Sequence, residues 1–171
     1  MASSSRSTRS VSLRVQDEPK RSPSTMSHPL PWRGVTAVRA AHGMAVLIDW
    51  HSMPEAAART AVTPRHGKGC DIVLGDRFGA SCTRKLTDLV ERELEAMGYR
   101  VARNAPYAGG YTTEHYGRPA SRTHALQIEI SRALYLDEET LEPTPGLERL
   151  IADIGRLAGV LADRWPTLRP A

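Results

Sequence analysis

Cysteine, aromatic residues and long apolar runs are all scarce in this chain. Cys70 and Cys82 are the only cysteines. They form no CxxC pair and no zinc-ribbon spacing, so two reduced thiols in a cytoplasmic protein are expected. Aromatics make up 5 % of the residues, with one Phe, three Trp and five Tyr. No apolar stretch approaches the ~20 residues that a membrane-spanning helix needs. The N-terminus lacks the apolar region of a secretory signal. Charge of one sign is not in large excess either, at a formal net +4. The positive charges are mostly arginine and are spread along the chain rather than gathered in a stripe. That argues against a nucleic-acid binder and leaves small anionic substrates compatible.

The 171 residues are enough for one domain with a real core. Residues 1–28 are rich in Ser, Arg and Pro and nearly free of apolar periodicity. They read as disordered. The globular domain is expected over residues 29–165, with a polar tail over 166–171 that Pro166 opens. Val35, Val38 and Ala41 suggest a helix closed by Gly43. The apolar run from Met44 to Asp49 suggests a buried strand. Residues 54–69 read as a loop, and Ile72, Val73 and Leu74 as a second strand. Leu86, Leu89, Val90, Leu94 and Met97 share one helix face, and Gly98 suits the position just past its end. A third strand follows over residues 99–103. After Thr144 and Pro145, a plausible cap and first turn, Leu147, Leu150, Ile151, Ile154, Leu157 and Leu161 give a last helix its apolar face. Strands alternating with helices indicate an α/β fold with a mixed sheet and flanking helices. Catalytic groups in such folds gather at strand ends and in the loops that follow. His51, the GDRFG loop and the PYAGGY loop each follow a predicted strand, and a shared site is expected there.

The most informative run is NAPYAGGYTTEHYGRPASRTHALQIEISRALYLD, residues 104–137. Within HALQIEI, Leu126, Ile128 and Ile130 alternate with Gln127 and Glu129. Periodicity alone predicts an edge strand whose Gln127 and Glu129 face is solvated. A carboxylate at the middle of a strand is costly to bury unless it is paired or employed. His51 can present a nitrogen into a cleft, and neighbouring Asp49 can steady the loop or orient a ligand. Gly109 and Gly110 permit positive φ and close backbone approach to a ligand. Asn104 and Tyr107 offer hydrogen bonds, and Tyr111 can close over a small substrate. Arg77, Arg118 and Arg122 are candidates for gripping carboxylates, because the guanidinium fork matches a carboxylate. His115 and His124 are weaker metal candidates, and with His28, His42 and His66 they read as structural or solvent-facing.

Together, the 104–137 run, LIDWHSMPE at 47–55 and DIVLGDRFGASC at 71–82 resemble the N-formylglutamate amidohydrolase (deformylase) family. The three segments come in the family's order, and the resemblance covers roughly residues 30–162. It implies a truncated zinc-carboxypeptidase or phosphorylase/hydrolase-like fold. It further implies one zinc ion with His51 as a ligand, and Glu129 as the group that takes a proton from water and passes it to the leaving amine. The implied substrate is a small anionic N-acyl amino acid, N-formyl-L-glutamate, split to formate and L-glutamate late in histidine breakdown. No H-x-x-E motif occurs in the chain. The resemblance is therefore to the C-terminal part of the family fold, and an inactive remnant or interaction module of that fold is the alternative expectation.

Overall fold

The computed structural model describes residues 30–63 and 67–164. The segment expected to be disordered, His28, His66 and the tail from Pro166 lie outside the described residues.

In chain order the elements are α1 (Leu30–His42), β1 (Ala45–Met53), α2 (Glu55–Ala58), β2 (Val62–Thr63), β3 (Gly67–Lys68), β4 (Ile72–Gly75), α3 (Arg84–Ala96), β5 (Val101–Arg103), α4 (Tyr111–Tyr116), β6 (Thr123–Ser131) and α5 (Gly146–Arg164). Helix α1 stops at Gly43, whose φ of +76° an L side chain rarely adopts. Gly98, at φ +93°, ends α3 in the same way. Thr144 Oγ1 accepts a hydrogen bond from Gly146 N at the start of α5, as its capping role predicts.

Four strands form one sheet in the order β1-β6-β4-β5, and β2 and β3 form a separate hairpin. β1 runs parallel to β6, β4 runs antiparallel to β6, and β4 and β5 are parallel. The sheet is mixed and flanked by helices, as expected.

Two strand environments are exchanged relative to the sequence reading. β6, expected at an edge with one solvated face, is central and buried along its whole length. β1, expected to be buried, lies at the end of the strand order, and Val46, Leu47 and Ile48 are half-buried. β1 also extends past Asp49, so His51 lies within the strand rather than after it. The expected loop over 54–69 contains α2 and the β2–β3 hairpin.

One face of the sheet carries the main core. Ile72, Leu74, Leu126, Ile128 and Ile130 pack there with Leu86, Leu89, Val90 and Leu94 of α3 and Leu150 and Leu157 of α5. Each such fully buried side chain contributes about 1.5–3 kcal/mol. Ile151, assigned to the apolar face of the last helix, is 61 % exposed. Its neighbour Asp153 turns inward instead and accepts a hydrogen bond from Tyr99 Oη at 2.9 Å. The other face is thinner. Met53, Ala58, Ala61, Cys70, Val73 and Ala102 make a small cluster there, against which Tyr107 packs.

Candidate active site

The polar groups gather on that thinner face, and strand register puts them there. In the parallel β1–β6 pair, His51 lies opposite Glu129 and Asp49 opposite Gln127. Side chains two apart on a strand share a face, so all four project together. Val73 of β4 pairs with Glu129 on the other side. Asp49 Oδ2 lies 3.0 Å from His51 Nε2, which leaves Nδ1 as the ring nitrogen free for another partner. Gln127 Nε2 donates to Glu129 Oε1 at 2.6 Å.

The electrostatics follow from this packing. Burial raises the Glu129 carboxyl above the usual range; His51 and the Gln127 amide pull it back, and Asp49 adds to the rise. The hydrogen bond to Asp49 raises the His51 imidazole, burial opposes it, and the charges of Asp49 and Glu129 add to it. Both shifts favour the protonated form, through burial at Glu129 and through the bond to Asp49 at His51.

Two loops cover and frame the face. The chain after β5 folds back over the sheet, and Gly110 N donates to Gln127 Oε1 at 2.7 Å. Glycine is required beneath it: a Cβ on Gly75 would sit 2.7 Å from Gly109 N. Gly109 itself has φ +120°, and its Cβ would meet Thr113 Oγ1 at 2.5 Å. The loop after β4 carries Arg77 and Phe78 at φ 52° and 55°. Two consecutive non-glycine residues in the left-handed region are strained and persist only when their surroundings hold them. Here Arg77 N donates to Ala108 O at 2.8 Å, and Asn104 Oδ1 accepts from Asp76 N and Phe78 N. Arg77 Nη2 reaches Glu114 of α4 at 3.1 Å.

The expected route to a shared site is corrected by the topology. In a mixed sheet the ends of β4 and β5 do not lie at the end of β1. Gly75, the last residue of β4, pairs with Gln127 in the middle of β6. The glycine loop therefore reaches the face at Gln127, two residues along β6 from Glu129, by folding across it and not by meeting β1 at a common edge.

The predicted residues separate accordingly. His51 and Glu129 come together, and Gly109 and Gly110 lie over Gln127. Arg77 joins them through its backbone and its pairing with Glu114. Asn104 spends its amide on Asp76 and the loop after β4. Tyr107 is half-buried against the small apolar cluster. Tyr111 is exposed, opens α4 and stacks on His115 at 5.0 Å. Arg118 directs Nη1 at the carbonyls of Glu114 and Gly117, and Arg122 is exposed at φ 57°. His124 alternates onto the opposite face, where its Nδ1 accepts from Thr83 N at the start of α3. Sequence reasoning placed Gln127 in phase with Glu129 but gave it no role. It placed Gly75 and Asp76 in the GDRFG loop but gave neither a role of its own, because their partners Gly109 and Asn104 are distant in the chain.

A catalytic zinc site needs three protein ligands. Among the described residues no group of three or more His, Cys, Asp or Glu could hold a metal ion. These residues do not fit a complete zinc centre by themselves.

The family model for N-formylglutamate amidohydrolase matches residues 33–136, a span that contains His51, Glu129 and both loops. The chain belongs to this family. It is 36 % identical over 104 residues to an N-formylglutamate deformylase of Pseudomonas aeruginosa, covering 60 % of this chain and 37 % of that protein. It is 35 % identical over 108 residues to an N-formylglutamate deformylase of Pseudomonas putida, covering 62 % and 39 %. The crystal structure of an N-formylglutamate amidohydrolase from Ralstonia eutropha JMP134 superposes with a TM-score of 0.70 at 41 % identity, over 77 % of this chain and 47 % of that one. The chain thus spans less than half the length of these N-formylglutamate amidohydrolase relatives.

Proposed function

We propose that this chain carries the base-bearing part of an amidohydrolase that splits N-formyl-L-glutamate into formate and L-glutamate. The observation behind it is the buried Glu129 carboxyl opposite His51, under a glycine loop, in a chain of this family. Glu129 takes a proton from water as the oxygen adds to the formyl carbon. The tetrahedral intermediate collapses with cleavage of the C–N bond, and Glu129 returns the proton to the departing amine. Arg77 and Arg118 are the proposed grips for the substrate carboxylates, with Tyr107, Gly109, Gly110 and Tyr111 lining the substrate and Asn104 fixing the loop that presents Arg77. Zinc belongs to the proposal with His51 as its ligand from this chain; none of the steps above passes through it. The proposed setting is histidine breakdown in the cytoplasm.

A second reading, a non-catalytic module of the same fold, is favoured by the lack of a converging ligand set among the described residues. Formate release by the purified chain with and without added zinc separates the two. Formate release that is lost in Glu129→Gln supports the enzyme. A folded chain that takes up no zinc and releases no formate supports the module.

A further inference from the structure

Gln127 is 4 % exposed, and its amide has one possible orientation. The Gly110 N–H can only donate, so the amide oxygen faces it, at 2.7 Å. The amide nitrogen must then face Glu129 Oε1, at 2.6 Å. Which end of a buried amide is oxygen is often ambiguous; here a backbone donor on one side and a carboxylate on the other decide it. Among the described residues, Gln127 is the one side chain that donates a hydrogen bond to the Glu129 carboxylate.

We propose that Gln127 is a positioning residue that couples the seating of the Gly109–Gly110 loop to the orientation of the Glu129 carboxylate. The coupling rests on the reading of Glu129 as the proton carrier. When the loop is down, the Gly110 N–H holds the amide oxygen and turns the amide N–H toward Glu129. When the loop lifts, the amide loses that constraint and the carboxylate loses its donor. The loop is built for a single seat: Gly75 leaves room for Gly109, and Gly109 leaves room for Thr113. A substrate that closes the loop therefore also aligns the base, and productive geometry follows occupancy.

A double-mutant cycle on the full 171-residue chain tests this, read by NMR on labelled protein. Gly109→Ala crowds Thr113 and unseats the loop without touching Glu129. Its expected signature is a displaced Glu129 Cδ resonance. Gln127→Met removes the link, so Gly110 amide exchange should accelerate roughly tenfold or more and the Glu129 resonance should move. In the double variant, Gly109→Ala should add no further change at Glu129. Unaltered exchange at Ile128 reports that the sheet is intact. Unchanged Gly110 exchange in Gln127→Met, or additive effects at Glu129 in the double variant, overturns the coupling. Formate release read in parallel should show kcat in Gln127→Met down by about 10²-fold with KM nearly constant. A wild-type chain that releases no formate removes the enzymatic reading, while the NMR cycle still decides whether loop and carboxylate are coupled.

Discussion

Asp76 and Asn104 hold each other across two loops. Asn104 Nδ2 donates to Asp76 Oδ1 at 2.8 Å, and Asp76 N donates back to Asn104 Oδ1 at 3.1 Å. Thr87 Oγ1 and Gly79 N complete the carboxylate at 2.8 and 3.1 Å. The pair fixes the strained Arg77–Phe78 backbone and the start of the glycine loop together. Asp76 is 5 % exposed, so Asp76→Ala leaves several buried donors without an acceptor. The expected loss is about 3 kcal/mol. Thermal unfolding should show the midpoint lowered by roughly 10 °C. A midpoint within a degree or two of wild type would mean that the loops are held by something else.

Asp49 sets the titration of His51. The hydrogen bond to Asp49 is the largest influence holding the imidazole above its ordinary value of 6.5. An NMR titration of His51 is expected to give a midpoint above 6.5, and Asp49→Asn is expected to lower it. The sign for folding follows. Because the folded-state value is raised, the stability that protonated His51 contributes is fully present below about 6.5 and is lost as pH rises through the folded-state value. Asp49→Asn should flatten that part of the stability profile. An identical His51 midpoint in both proteins would falsify the assignment.

Helices α1, α3 and α5 and the chain order of the four sheet strands were legible in the sequence because local signals specify them, whereas α2 and α4, four and six residues long, are too short to show a helical period. Leu86 to Met97 repeats at helical spacing and ends at a glycine, and α3 follows that pattern. Sheet position was not legible, because neighbours decide it. Val46, Leu47 and Ile48 are apolar on both faces, which reads as a strand covered on both sides, yet β1 lies at the end of the sheet order. HALQIEI alternates, which reads as one wet face, yet the loop after β5 and α4 lie over β6. The hydrogen bond that makes Gln127 tolerable in that buried position comes from Gly110, and strand periodicity carries no trace of it. His51 and Glu129 were legible as a pair only through family resemblance; their facing register comes from the parallel β1–β6 pairing.

Gly75 is a quiet determinant of the site. Its backbone is not in the left-handed region, so Ala is locally permitted there. The obstacle is packing: the new Cβ would lie 2.7 Å from Gly109 N and 2.9 Å from Ala108 C, both backbone atoms that cannot rotate away. Gly75→Ala should cost about 1–3 kcal/mol in chemical denaturation with an unchanged m-value. It should also speed amide exchange at Gly110, since the loop must lift to admit the methyl. Unaltered stability together with unaltered Gly110 exchange would show that the loop has room to spare.

Glu129 sets stability against function. Burial is the largest influence raising its carboxyl above the ordinary 4.5, so ionising it costs the folded state more than the unfolded one. The protonated form favours the fold below about 4.5, and that advantage is lost as pH rises toward the folded-state value. Glu129→Gln keeps the shape and still accepts the hydrogen bond from Gln127, but it carries no charge to desolvate. The variant should therefore be more stable than wild type at pH 7.5, by about 1 kcal/mol, a gain typical of neutralising a strained functional group. The difference should shrink as pH falls toward 4.5, where the wild-type carboxyl is itself protonated. Urea denaturation at both pH values measures this. A variant less stable than wild type at pH 7.5 would mean that the His51 and Gln127 contacts outweigh the burial cost, and that Glu129 is held as a structural anion rather than as a poised base.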